Sequence, residues 1–172
     1  MQTNIVHAEE ADVPVVCRLF EEAIAYQKDN QFIGWNTYDR FFIEKDIHQK
    51  LLYKITTQES LLGVFSVCYR DELIWRKKEK GDALYLHRII VNRSPGHKNF
   101  FSRVLAWAIA EAKQNNLSYV RMDTWAGNEK LIGYYKSFGF TLVEHYTTAD
   151  TPDLPQQHRN LHVALLELVV EK

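Results

Sequence analysis

The sequence predicts an α+β fold built around one mixed sheet, and three observations carry that prediction. Segments of strand and helix character follow in the order β-α-α-β-β-β-α-β-α-β-β. Within that order, residues 84–146 run strand, helix, strand, helix, strand, which calls for right-handed crossovers between parallel neighbours. Hairpins before and after this run make the sheet mixed. The 172 residues suffice for one domain with a sizeable core, and they carry neither an internal repeat nor a domain linker. A single domain over 1–172 is therefore expected.

Each element has its own signal. Residues 4–8 read as a short strand. Asp12 stands where a helix N-cap belongs, and Pro14 falls in the first turn, where its missing N–H does no harm. Val16, Leu19, Phe20, Ala23 and Ile24 recur at helical spacing and extend that helix over about 12–27. A polar linker with Gly34 leads to a weaker helix near 38–48. Strands at 51–57 and 61–69 are split by the turn Gln58-Glu59-Ser60, and the basic run 76–82 reads as a solvated hairpin tip. The strand LYLHRIIV covers 84–91, and a loop at 92–99 precedes the clearest helix, striped by Phe101, Val104, Leu105, Ala108, Ile109 and Ala112. Asn115-Asn116 end it. A strand at 118–124, a helix from Asn128 to Phe138 stopped by Gly139, and strands at 140–146 and 161–170 complete the chain.

Composition excludes several classes of function. A net charge of -1 supplies no global field for a polyanion, so nucleic acid is not an expected partner. No stretch approaches the length of a membrane span, and the start lacks the basic-then-apolar pattern of a signal peptide. Cys17 and Cys68 are far apart and sit in apolar surroundings on a helix and a strand, which suits buried thiols in a reducing compartment. A cytoplasmic protein is expected, with no metal cofactor.

Three segments, in order, carry a resemblance. LHRIIV is followed by a loop and the helix ending VLAWAIAEAK; next comes the strand YVRMDTW; last comes NEKLIGYYKSFGF. Residues 84–140 thereby resemble the GNAT superfamily of N-acetyltransferases, and the third segment is the most specific of the three. The resemblance implies an α/β/α layered fold, with a mostly antiparallel sheet of about six or seven strands and helices on both faces. It also implies acetyl-coenzyme A as co-substrate and an amine as acceptor. One stretch departs from the family. Family members begin the long helix with spaced glycines, whereas this chain has Gly96-His97-Lys98-Asn99-Phe100-Phe101. Counted back from Trp107, Asn99 and Phe101 take glycine positions; a one-residue shift would instead bring Gly96 onto one.

Acyl transfer from coenzyme A makes four demands. A pyrophosphate must be held, and the helix start near 100 offers unpaired N–H groups and a positive dipole end, with His97, Lys98 and Arg103 adding charge. The pantetheine arm must be bound and its thioester polarised; the resemblance assigns this to backbone groups near Ile89 and Val91, with Asn128 as a side-chain partner. Asn128 reads equally as a plain helix N-cap. The leaving thiolate must be protonated: a thiol has a pKa of about 8.5 and tyrosine about 10, so a neutral tyrosine can donate as the bond breaks. Tyr135 matches the family's acid, with Tyr134 as its confounder and a core aromatic as the bland reading. Finally, a primary amine with a pKa of about 10 is neutral in only about one molecule per thousand at pH 7. His87, Asp123 and His158 are the candidate bases, each with a structural alternative as core histidine, ion-pair partner or loop residue.

The acceptor is expected to be a small-molecule amine, such as an amino acid or polyamine-like compound, taken up by a monomer or homodimer. Trp35 in the linker, Trp125 after a strand end, and Arg159 in the long loop 148–160 are the candidate contacts. The competing expectation is a non-catalytic module of the same fold with a degenerate pyrophosphate loop.

Overall fold

The computed structural model describes residues 2–93 and 98–171. Its seven strands form one sheet in the order β1-β2-β3-β4-β5-β7-β6. The chain gathers into two compact units, one of Met1–Val67 with Arg88–Leu105 and one of Cys68–His87 with Ala106–Lys172.

In the first unit, β1 (Asn4–His7), β2 (Leu52–Thr56) and β3 (Leu61–Cys68) pair antiparallel. Helix α1 (Val13–Asp29) starts with Pro14 in its first turn, as the sequence predicts. Asp12 is its N-cap residue, yet the carboxylate does not cap α1. It accepts instead from the Glu9 N–H and the Lys54 ammonium, each at 2.8 Å. Helix α2 (Arg40–His48) follows the linker. Phe20, Val16, Leu19, Ile43, Ile47, Leu52, Val64 and Ile90 form the core here, and Trp35 and Tyr38 pack on it from the linker. The Trp35 ring lies 5.3 Å from Phe20, and its backbone N–H donates to Gln27 Oε1 at 2.9 Å.

Strand β4 (Ala83–Val91) contributes Arg88–Val91 to this unit. Arg88 stands at φ +48, a left-handed conformation uncommon inside a strand. Its guanidinium forms a buried ion pair with Asp46 of α2, Nε to Oδ2 at 3.0 Å. Gly63 on β3 allows close passage past β4: a Cβ there would meet Ile90 O at 2.3 Å and the Phe100 ring at 2.6 Å. Helix α4 (Phe100–Gln114) begins in this unit, with Phe100 and Phe101 both buried.

In the second unit, β4 runs parallel to β5 (Tyr119–Trp125) from Ala83↔Tyr119 to Leu86↔Met122. Strand β7 (His162–Val169) lies antiparallel between β5 and β6 (Thr141–Thr147). Helix α5 (Glu129–Lys136) ends two turn residues before Gly139, which stands at φ +100. The basic run read as a solvated turn is exposed as expected, with Arg76, Lys77, Lys78 and Lys80 at the surface between β3 and β4. It follows a short helix α3 (Glu72–Trp75) and opens with a 3-10 turn, Arg76–Lys78. Trp75 is fully buried, and Arg76 and Lys78 both pair with Glu144 of β6. The charges are partnered because the buried indole anchors the turn beside β6. Among the described residues, no helix is long and apolar enough to cross a membrane.

Candidate active site

The second unit contains most of the residues singled out for chemistry. Asn128 is the N-cap of α5, and its Oδ1 accepts from the Leu131 N–H at 3.1 Å, so the capping role read from sequence is realised. Seven residues on, two turns later, Tyr135 is half-buried, whereas Tyr134 is 46% exposed. The two adjacent phenols thus face different surroundings, as 100° per residue dictates. Burial, then the neighbouring Tyr134 and the Asp123 carboxylate, push the Tyr135 hydroxyl well above its ordinary value. The hydroxyl therefore stays protonated across physiological pH.

The three candidate bases converge in this unit, although they come from three elements. His87 on β4 directs Nε2 to Asp71 Oδ2 at 3.2 Å and Nδ1 towards Asp123 Oδ1 at 3.6 Å. The His158 ring, from the 3-10 turn Gln156–His158, has its centroid 6.4 Å from that of His87. Burial disfavours charge on His87, but Cys68 and the Asp71 carboxylate outweigh it and hold the ring well above the usual imidazole value.

Sequence reasoning missed two members of this group. Asp71 was not singled out, and Cys68 was read as a buried hydrophobe. Cys68 is only partly buried and is a free thiol, at the end of β3 next to Asp71 and His87. Cys17 is buried as expected, 7% exposed. An apolar strand pattern conceals Cys68 because its partners lie on the following turn and on β4.

The long loop after β6 is an ordered, packed segment. The Thr148 hydroxyl donates to His158 O at 2.6 Å and Thr148 Oγ1 accepts from the Leu161 N–H at 2.9 Å. Leu154 is 5% exposed, and Arg159 Nε donates to Leu154 O at 2.8 Å. At least one donor of Arg159 therefore holds its own loop. Trp125 ends β5 and is half-buried.

The remaining candidates belong to the first unit. Trp35 sits on its core, Ile89 and Val91 follow Arg88 in β4, and Lys98 and Asn99 form the turn before α4. Asn99 stands at φ +63, supplying the left-handed backbone for which glycine is otherwise used. Its carbonyl accepts from the Arg103 N–H at 3.3 Å. Gly96 and His97 lie outside the described residues.

With this geometry in view, the comparisons identify the class. The model of the Acetyltransferase (GNAT) family matches residues 17–140. The chain belongs to that family and is an acetyltransferase. No curated protein matches it in sequence. Among solved structures it is similar to a GNAT-family acetyltransferase from Listeria monocytogenes, with TM-score 0.77 and 18% identity over 97% of this chain and 94% of that one. It is also similar to yncA from Salmonella typhimurium, solved with its cofactor acetyl-CoA, with TM-score 0.65 and 16% identity over 100% of this chain and 96% of that one. A third is N-acetylglutamate synthase from Neisseria gonorrhoeae, complexed with coenzyme A and N-acetyl-glutamate: TM-score 0.66, 16% identity, 100% of this chain and 36% of that one. At these identities the likeness is one of fold.

Proposed function

We propose that this acetyltransferase moves the acetyl group of acetyl-coenzyme A to a primary amine of a small molecule, an amino acid or polyamine-like compound. The observation that carries the reading is Tyr135, a half-buried phenol kept protonated, two turns along the helix that Asn128 caps. In the proposed reaction the amine nitrogen attacks the thioester carbonyl carbon, and the carbon–sulfur bond breaks. The departing thiolate takes the Tyr135 proton. With His87 held in its charged form, the proton lost by the acceptor nitrogen goes to Asp123 or His158, the two other candidate bases beside it. Backbone N–H groups near Ile89 and Val91 polarise the thioester, a role that rests on the family pattern. The acetyl-CoA bound by one structural neighbour and the coenzyme A bound by another support the choice of donor. The free thiols Cys17 and Cys68 support a reducing, cytoplasmic setting.

The glycine departures at the start of α4 are compatible with this reading. Asn99 already adopts the left-handed conformation, and the Phe101 ring is buried rather than exposed at the helix start. Lys98 is exposed there and supplies a cation for the pyrophosphate. Calorimetric titration with coenzyme A tests the donor. Sub-millimolar binding that weakens with salt is expected, and Lys98→Glu should cost about tenfold, roughly 1.4 kcal/mol, by reversing one charge beside a phosphate. Absence of heat at millimolar ligand would leave a fold without its donor site.

A further inference from the structure

We propose that Cys68, Asp71 and His87 form a binding site for a thiophilic divalent cation of the zinc class, with Asp123 as the carboxylate that orients the imidazole. The site is assembled by one reversal of the chain. Cys68 closes β3, Asp71 caps the short helix α3 three residues later, and β4 brings His87 back beside them. One ligand atom from each residue, a sulfur, a carboxylate oxygen and a ring nitrogen, lies within 4.8 Å of the other two.

The spacing is close to what a metal requires. Tetrahedral zinc, with a bond of about 2.3 Å to sulfur and about 2.0 Å to nitrogen and oxygen, holds neighbouring donors roughly 3.3–3.6 Å apart. The edge from His87 Nε2 to Asp71 Oδ2 is already 3.2 Å. Closing the remaining edges takes side-chain shifts on the order of 1 Å, well within the rotameric freedom of a cysteine at a strand end. The other ring nitrogen supplies a second, independent feature. Nδ1 lies 3.6 Å from Asp123 Oδ1, an ion-pair distance that a shift of about 0.5 Å would close to the hydrogen bond by which a carboxylate orients a metal-bound histidine.

Chemistry selects the cation. A thiolate, an imidazole and a carboxylate suit zinc or cobalt and discriminate against magnesium and calcium, which prefer all-oxygen shells. Binding displaces the proton that His87 carries in the metal-free protein, together with the proton of the Cys68 thiol, so affinity falls as pH falls. Three protein ligands leave a fourth position for water or another small ligand, as in exchangeable rather than closed structural sites. The side chains of His87 and Asp71 are 10% and 9% exposed, so their attraction for a cation is little screened by solvent. Neighbouring charges reinforce it: the Asp123 side chain is only 8% exposed and adds a second carboxylate to the same ring. The inference does not depend on acetyl transfer. A metal on His87 would, however, sit beside Asp123 and His158, to which the acceptor's proton is assigned above, so loading and transfer would compete.

The test is cobalt titration of tag-free, chelator-treated, reduced protein, read by absorption. One equivalent of Co²⁺ should produce the visible bands of a tetrahedral site together with a thiolate-to-cobalt band in the near ultraviolet. Zinc should bleach both. Cys68→Ser should abolish the thiolate band, Cys17→Ser should leave it intact, and Asp123→Asn should weaken affinity by about 10–100-fold through the lost outer contact. Circular dichroism and thermal midpoints establish that each variant is folded, and Cys68→Ala provides a second removal of the sulfur should the serine variant fail. No thiolate band at saturating cobalt overturns the proposal, as does a band that survives in a folded Cys68 variant.

Discussion

Arg88 shows how one residue can be held in a conformation its own sequence does not favour. A non-glycine residue in the left-handed region costs of order 1–3 kcal/mol, and Arg88 adopts it in the middle of β4 at φ +48. The buried ion pair with Asp46 is the compensating contact, with both side chains under 10% exposed at 9% and 8%. Removing one member of such a pair strands the other charge in a site poor in water. Asp46→Ala is accordingly expected to lower unfolding free energy by about 3–5 kcal/mol in a urea titration. An unchanged denaturation midpoint would mean that the left-handed backbone at Arg88 is held by the strand alone. Nothing around Arg88 in sequence announces this: LYLHRIIV reads as an ordinary strand, and its partner is 42 positions away. The same is true of the group around His87. His87, Asp123 and His158 are each nameable as titratable residues, but their convergence, and the addition of Cys68 and Asp71, depends on which elements become neighbours.

At the scale of elements, glycines at two positions make opposite predictions. Gly63 passes so close to β4 that a methyl group would fall 2.3 Å from a backbone carbonyl, which cannot rotate away. Gly63→Ala should therefore destabilise the protein by roughly 1–3 kcal/mol through overpacking. Gly133 lies inside α5 with nothing within 4 Å of an added Cβ. Gly133→Ala should stabilise by about 0.4–1 kcal/mol, since alanine restricts the unfolded chain and favours helix. Thermal melts of the two variants that shift in the same direction would contradict one of these packing accounts. The elements themselves were largely legible. The sequence places the central strand at 84–91 against Ala83–Val91 observed, and the next at 118–124 against Tyr119–Trp125. Apolar periodicity of 2 or 3.6 is a local property, so it survives without tertiary information. The solvated character of the run 76–82 was legible because polarity is also local, while the burial of Trp75 and the pairing of Arg76 and Lys78 with Glu144 are not. The long loop 148–160 was legible as a loop, but not as one pinned by Thr148, Leu154 and Arg159.

At the scale of the whole molecule, the family assignment fixes the reaction as acetyl transfer, and the identity of the acceptor rests on the proposal above. Membership was readable because three contiguous segments stand in the family's order, the last and most specific being NEKLIGYYKSFGF. The acceptor is harder to read because one fold serves many amines. The central claim is that Tyr135 delivers the proton to the departing thiolate, and its most direct test is release of free thiol from acetyl-coenzyme A across a panel of primary amines. Wild-type protein should release thiol only with an accepted amine. Tyr135→Phe keeps the ring and its edge contact with Phe140, so its thermal midpoint and coenzyme A affinity should be unchanged. Loss of one positioned acid should lower kcat by about 10²–10⁴-fold. A Tyr135→Phe variant that releases thiol as fast as wild type, under conditions where chemistry limits the rate, would contradict the account.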